Sequence, residues 1–140
     1  MLATAPVTTI LPVIDAERAR EFYERALGLP YAGRSGDGKH LFAIGSGSLA
    51  LLPKPDGSQA SHTALSFEVA DAAEAVRELS GRGIQFEDYD LPVLKTVEKV
   101  CVLGSEKAAW FKDTEGNILC VHQVIGERDA SVPRATLGST

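Results

Sequence analysis

Two stretches of this sequence decide its fold: Ile10-Leu11-Pro12-Val13-Ile14-Asp15-Ala16-Glu17-Arg18-Ala19 and Ser66-Phe67-Glu68-Val69-Ala70-Asp71-Ala72-Ala73-Glu74-Ala75. They align at a constant offset of 56 residues and share a valine, an aspartate and two alanines. Each predicts an apolar strand followed by a helix. Asp15 and Asp71 stand where an N-cap belongs, because a carboxylate there accepts the free N–H groups of the first turn. The repeat therefore indicates two copies of one structural unit.

Short β-like runs follow each predicted helix. They cover 31–34, 39–45 and 48–53 in the first half, and 84–89, 97–103, 108–112 and 117–123 in the second. Gly28 and Gly83 are predicted to end the helices, since glycine tolerates a left-handed C-terminal conformation. Each half thus predicts a βαβββ unit of an α+β fold, and the second half leaves room for one extra short run. Strand alternation predicts His40 on the surface.

The domain organisation predicted from this pattern is a single domain, 1–140, made of two repeats. The repeats span about 7–53 and 62–123. The connector 54–61 is rich in proline, glycine and serine, which favour turns. The segment 124–140 holds few large apolar residues and is predicted to be a C-terminal tail.

Composition excludes several classes of function. The 140 residues carry 14 Lys and Arg against 19 Asp and Glu, a net charge of −5, so no basic surface for nucleic acid is expected. No apolar run approaches the roughly 20 residues that a bilayer helix needs, so no membrane partner is expected. Cys101 and Cys120 each lie in an apolar run, which favours reduced thiols and a cytoplasmic location.

The capped repeats, the helix exit Leu27-Gly28-Leu29 and the hairpin Trp110-Phe111-Lys112-Asp113-Thr114-Glu115-Gly116-Asn117 resemble the vicinal oxygen chelate superfamily. This group includes glyoxalases, extradiol dioxygenases and bleomycin resistance proteins. The resemblance covers Thr8 to about Gln123. It implies the glyoxalase/bleomycin resistance fold, in which two βαβββ units form a curled mixed sheet around a pocket. It also implies a homodimer.

Enzymes of this superfamily bind a divalent metal at four strand positions, two per unit. The resemblance places these positions at Thr8, Ala64 and Cys120, with Leu51 as the first-half counterpart of Cys120. None of the four is a carboxylate or an imidazole, the ligands that such a metal prefers. We therefore expect no metal and no other cofactor at the superfamily's usual site.

A relocated metal site is the alternative. His62, Cys120 and His122 alternate onto the same strand faces as the superfamily's metal positions and could form a nitrogen and sulfur ligand set. A divalent metal there would indicate a glyoxalase-like or dioxygenase-like lyase or isomerase. No His-x-x-x-His or Cys-x-x-Cys spacing supports this set, so whether the protein is an enzyme stays open at this point.

The main functional hypothesis is metal-independent binding or sequestration of a small, partly aromatic molecule, as in bleomycin resistance-like and other antibiotic resistance-like proteins. Trp110 resembles a pocket-facing position of these relatives and would be a stacking platform for a flat ligand. A cavity filled by the protein's own side chains, as in a regulatory subunit, is a third reading. The predicted ligand-binding residues are Thr8, Ile10, Leu41, Leu51, Ala64, Trp110, Cys120 and His122.

Overall fold

A computed structural model describes residues 1–126 of the chain. Its contacts divide these residues into two compact units. The first unit contains Met1–Ala60 together with Thr114–Asn117, and the second contains Ser61–Asp113 and the described residues from Ile118 onward. The boundary between Ala60 and Ser61 falls inside the predicted connector. In the described part of the chain, no helix is long and apolar enough to cross a membrane.

The first unit is a four-stranded mixed sheet with one helix. After a 3-10 turn at Leu2–Thr4, the elements are β1 (Thr8–Val13), α1 (Ala16–Glu21) with a π-helical turn (Phe22–Ala26), β2 (Tyr31–Arg34), β3 (His40–Ile44) and β4 (Gly47–Pro53). The strand order is β1-β4-β3-β2. β1 runs parallel to β4 and the other pairs are antiparallel.

The second unit repeats this plan. Its elements are β5 (Thr63–Glu68), α2 (Ala72–Gly81), β6 (Asp90–Leu91), β7 (Leu94–Lys95), β8 (Cys101–Leu103), β9 (Glu106–Lys112) and β10 (Ile118–Val124). The main sheet has the order β5-β10-β9-β8, and β6 and β7 form a separate hairpin. β5 is parallel to β10, as β1 is to β4. The α+β class and the repeated topology are confirmed.

The predicted helix boundaries have the expected causes. The carboxylate of Asp15 accepts the Arg18 amide at 3.1 Å, and that of Asp71 accepts the Glu74 amide at 3.0 Å. Gly83, which follows the second helix, has φ +93°, a left-handed conformation that glycine adopts without steric cost. Local chemistry therefore sets both helices.

The second half departs from the predicted strands between 84 and 103. The run 84–89 forms no strand beyond a bridge from Phe86 to Phe111. Glu98 and Lys99 have φ of 51° and 73°, and this left-handed backbone interrupts the predicted strand 97–103, leaving only β8. At the other end of the unit, β10 continues to Val124, which was assigned to the tail. The rest of the predicted tail, 127–140, lies outside the described residues.

Each sheet is covered on one face by its own helix. In the first unit, the buried side chains on this face include Leu11, Val13, Phe42 and Leu49, which form a core with Ala19 and Tyr23. His40 lies on the same face, and its surface prediction is wrong: it is 2% exposed, with Tyr31 Oη 2.8 Å from Nδ1 and Glu17 Oε1 2.9 Å from Nε2. Because each ring nitrogen has a polar partner, burying the imidazole costs little free energy.

Glu115, in the turn between β9 and β10, ties that turn into the first unit. Its carboxylate accepts the amides of Ile14 and Asp15 at 2.8 Å, Arg18 Nε at 2.8 Å and the Thr114 hydroxyl at 2.6 Å. Burial alone would raise the pKa of Glu115, but the Arg18, Asp15, Thr114 and Ile14 hydrogen bonds together lower it from 4.5 to about 2. The turn is thus held by a buried, ionised carboxylate.

Candidate functional site

Three of the predicted site residues share one face of the first sheet. Residues paired directly across neighbouring strands point to the same side of a sheet. Thr8 pairs with Ser48, with their hydroxyl oxygens 3.0 Å apart, while Ile10 pairs with Ala50 and Ala50 with Leu41. Thr8, Ile10 and Leu41 therefore lie on the side away from α1. Ile10 is exposed and Leu41 is half-buried.

Leu51 does not belong with them, and its assignment to the site needs correction. It pairs with Leu11 and His40, which lie on the helix-covered face, and it is fully buried. The 69-residue offset that selected Leu51 aligns the hairpins of the two halves. This alignment differs by one residue from the pairing of β1 with β4. A shift of one residue moves a side chain to the other face of the sheet.

In the second unit, Ser66, Cys120 and Trp110 form one row across β5, β10 and β9. The next row holds Glu68, His122 and Ala108. The row members lie on the face opposite α2, because the alternate residue Gln123 accepts the Ala72 amide at the start of α2, at 2.9 Å. We call this the distal face of the second sheet, defined by Ser66, Glu68, Ala108, Trp110, Cys120 and His122.

Trp110 is half-buried and packs edge to face against Tyr89, with ring centroids 5.6 Å apart and an interplanar angle of 80°. Burial raises the pKa of the Tyr89 phenol, and the nearby negative charge of Glu87 adds to the shift. Tyr89 also borders a surface cleft of about 340 Å³ together with Thr96 and other residues of the β6–β7 hairpin. The two rings form an aromatic corner, of which Tyr89 borders the cleft.

A polar cluster lies beside this corner. The Ser66 hydroxyl is 2.6 Å from His122 Nδ1, and His122 Nε2 is 3.7 Å from Glu68 Oε1. The side chains of His122 and Glu68 are each 17% exposed, whereas Ser66 is exposed. The cluster offers a hydroxyl, an imidazole and a carboxylate to a molecule lying on the distal face.

Cys120 lies between Ser66 and Trp110 in their row, but its thiol has low reactivity. It is 4% exposed, and burial raises the pKa of its thiol above the ordinary value, although the Ser66 side chain and the Ala109 backbone oppose the shift. A thiol with a raised pKa carries little thiolate, which is the reactive and metal-binding form.

The side chains at the superfamily's metal positions do not fit a metal ion. Thr8 offers a neutral hydroxyl, Ala64 offers a methyl group, and Cys120 offers a buried thiol. Ala64 lies at a β-bulge, where β5 holds one more residue than β10. His62 is exposed and precedes β5, and within residues 1–126 no three His, Cys, Asp or Glu side chains are grouped for metal binding. The structure does not assemble the set His62, Cys120 and His122.

Ser66, Glu68 and Tyr89 are not among the site residues predicted from the sequence. A signal for Ser66 was present, because the 56-residue offset aligns it with Ile10, which had been selected. Glu68 lies two residues further along the same strand and therefore on the same face. Tyr89 had no such signal, since its contact with Trp110 depends on the path of the chain after α2.

Comparisons with known proteins agree with this architecture. A family model described as the Glyoxalase/Bleomycin resistance protein/Dioxygenase superfamily matches residues 5–121. A glyoxalase family protein from Bacillus anthracis superposes with a TM-score of 0.68 at 16% identity, covering 86% of this chain and 95% of its own. No curated protein sequence matches the chain.

Two further solved structures carry different functional descriptions. The antibiotic binding protein TnmS3 from Streptomyces sp. CB03234 has a TM-score of 0.64 and 21% identity, covering 89% of this chain and 98% of its own. A lactoylglutathione lyase from Agrobacterium tumefaciens has a TM-score of 0.58 and 21% identity, covering 86% of this chain and 93% of its own. At these identities the similarity shows the fold alone.

Proposed function

The chain belongs to the Glyoxalase/Bleomycin resistance protein/Dioxygenase superfamily, and we propose that it binds a small, partly aromatic molecule without the help of a metal ion. The proposed binding surface is the distal face of the second sheet with the adjoining Tyr89. Thr8, Ile10 and Leu41 stay predicted ligand contacts on the first sheet. Leu51 is no longer included.

The aromatic corner of Trp110 and Tyr89 is the observation that carries this proposal. Trp110 is the only tryptophan of the chain, and it is half-buried on a sheet face that α2 does not cover. Tryptophan and tyrosine offer large, stiff apolar surfaces, so little conformational entropy is lost when a flat ligand packs on them. Stacking there contributes roughly 0.5–1.5 kcal/mol in addition to apolar burial.

The donor chemistry supports metal-independent binding over metal-dependent catalysis. A lyase or isomerase of this superfamily needs oxygen or nitrogen ligands that converge on one point. Thr8, Ala64 and Cys120 lack the charge or the basic lone pairs for this role. Since the fold accommodates both an antibiotic binding protein and a lactoylglutathione lyase, these side chains are a better guide to function than the fold.

The polar cluster would orient the bound molecule. Ligand sites are mostly apolar, with a few polar groups that fix the orientation of the ligand. His122 and Ser66 supply such groups one row and two strands away from the indole ring. A ligand that stacks on Trp110 and carries a polar substituent about 10 Å away would contact both, because neighbouring strands are about 4.8 Å apart.

The test is a screen of planar aromatic compounds, including 8-anilinonaphthalene-1-sulfonate, by thermal shift and by quenching of Trp110 fluorescence. Compounds that bind the native state raise the melting temperature. Calorimetry then compares the wild type with Trp110→Ala, and with Val102→Ala as the control, because Val102 is exposed and lies on the opposite face of the same sheet.

We expect Trp110→Ala to weaken binding about tenfold, the effect of losing about 1.4 kcal/mol, and Val102→Ala to leave it unchanged. Chelation with EDTA should not alter the affinity. Unchanged affinity in Trp110→Ala would place the ligand elsewhere. Loss of binding on chelation, restored by a divalent metal, would refute metal independence.

A further inference from the structure

We propose that Ser66 is a reactive nucleophile, with His122 as its general base and Glu68 as the carboxylate that orients the histidine. The activity that follows is acyl transfer from small aromatic esters to the Ser66 hydroxyl. This goes beyond the proposed binding function. The assignment of the nucleophile depends only on the polar cluster, whereas the choice of an aromatic substrate rests on the proposed function.

The distances in the cluster match these roles. The Ser66 hydroxyl lies 2.6 Å from His122 Nδ1, within the range over which a base takes up a proton. His122 Nε2 lies 3.7 Å from Glu68 Oε1, which is too long for a hydrogen bond but close enough for the carboxylate charge to act on the imidazole. The carboxylate favours the tautomer with its proton on Nε2, which leaves Nδ1 free to accept the serine proton.

Exposure distinguishes Ser66 from the other nucleophilic side chain of its row. Ser66 is exposed, whereas Cys120 is 4% exposed and burial raises the pKa of its thiol. Ser48, which also lies on a strand, has the hydroxyl of Thr8 as its partner, 3.0 Å away, and a hydroxyl is not a base at neutral pH. Ser66 thus combines access with an adjacent base.

The position of Ser66 on β5 also supplies a donor for a developing oxyanion. β5 is an edge strand of its sheet. The Val69 amide donates to the His122 carbonyl at 2.8 Å. In a parallel pair, backbone groups of alternate residues face the neighbouring strand, so the Ser66 amide points to the outer edge. Serine enzymes use the nucleophile's own amide in this way.

The reaction balances without a cofactor. Ser66 Oγ attacks the carbonyl carbon of the ester, and its proton moves to His122 Nδ1. The tetrahedral intermediate collapses with cleavage of the bond to the alcohol oxygen, and the alcohol leaves with the proton from His122. Water then attacks the acyl-serine, again giving its proton to His122, and releases the acid and free Ser66.

The substrate class follows from the row that Ser66 shares with Trp110. The two residues are separated by β10, so their backbones are about 10 Å apart. An ester whose aromatic part stacks on the indole ring would place its carbonyl group near Ser66. Stacking on the indole ring would therefore favour aryl esters over aliphatic esters.

The experiment uses the full chain and two probes, an alkyl fluorophosphonate and p-nitrophenyl acetate. Labelling is followed by intact mass and located by peptide mapping, and acetylation is followed by the release of p-nitrophenol. The variants are Ser66→Ala, His122→Gln and Glu68→Gln, each checked by circular dichroism. The rate of labelling at Ser48 in the same wild-type sample is the internal control.

We expect labelling at Ser66 in the wild type, none at that position in Ser66→Ala, and at least a hundredfold slower labelling in His122→Gln, as for loss of a general base. Glu68→Gln should show a smaller loss. Labelling at Ser66 no faster than at Ser48 would overturn the proposal, as would acylation directed to Cys120. If His122→Gln does not fold, the comparison with Ser48 and Glu68→Gln still decides the question.

The same variants separate the two proposals. Ser66→Ala should abolish labelling at that position but only weaken the binding of compounds found in the screen, by the roughly tenfold or less that one orienting hydrogen bond contributes, because the Trp110–Tyr89 corner is intact. Labelling without any aromatic binding would refute the proposed ligand and leave the nucleophile standing. Binding without labelling would refute the assignment of Ser66 as a nucleophile and leave the proposed ligand class standing.

Discussion

Replacing Glu115 by glutamine tests whether one buried carboxylate holds the β9–β10 turn in the first unit. Glu115 is 4% exposed, and its carboxylate accepts hydrogen bonds from two backbone amides, from Arg18 and from Thr114. A glutamine has one acceptor oxygen, and its amide group would face the donors of Arg18. We expect Glu115→Gln to fold with a markedly lower free energy of unfolding.

The size of this effect can be worked from the pKa. Folding lowers the pKa of Glu115 from 4.5 to about 2, a difference of about 2.5 pH units. At 1.36 kcal/mol per unit this corresponds to about 3 kcal/mol of stability at neutral pH. Because the folded pKa is lowered, this stability is present above pH 4.5 and is lost as the pH falls toward 2. Glu115→Gln has no such titration.

Urea unfolding followed by circular dichroism, at several pH values from 7 to 2.5, measures both effects. The wild type should exceed Glu115→Gln by about 3 kcal/mol at pH 7, and the two should converge as the pH approaches 2.5. Glu24→Gln is the control, because Glu24 forms an exposed pair with Arg20, and such pairs contribute at most about 1 kcal/mol. A constant difference at every pH would refute the titration argument, and a difference below about 1 kcal/mol would refute the role of the carboxylate.

Three further predictions concern stability. In Gly47→Ala, the new methyl carbon would lie 2.1 Å from the Val7 carbonyl oxygen, so the melting temperature should fall by several degrees, whereas Gly36→Ala, with no atom within 4 Å, should change it little. Asp71→Ala removes the acceptor of the Glu74 amide and should cost about 1 kcal/mol in urea unfolding; an unchanged midpoint would show that the cap contributes nothing. Incubation with EDTA should leave the melting temperature unchanged, and a fall that zinc reverses would contradict the metal-independent reading.

The repeat and its local signals were sufficient to predict the architecture. Asp15 and Asp71 cap the two helices as predicted, because the cap depends on the aspartate and on an amide three residues away. The βαβββ order also followed from local alternation and from glycine stops. Where local signals were weak, as at Glu98 and Lys99, the predicted strand was wrong. Left-handed backbone at residues other than glycine is not apparent from composition.

The candidate site was only partly predictable. Alternation along a strand placed Cys120 with His122, and Trp110 with Ala108 on another strand. The register of β9 and β10 brings these two pairs onto one face. Leu51 was assigned to the wrong face because the register between β1 and β4 differs by one residue from the alignment of the repeats. Register is a property of two strands together, and an error of one residue reverses every side chain.

By itself, the sequence determined the two repeated units, their helix caps, and the absence of metal-binding side chains at Ala64 and Leu51. Only the tertiary structure decided that Tyr89 packs on Trp110, that Ser66 meets His122 on the neighbouring strand, and that Glu115 joins the turn to the first unit. The reason is physical. Caps and alternation arise from residues a few positions apart, whereas these contacts join residues 21, 56 and 101 positions apart, whose proximity depends on how the whole chain packs.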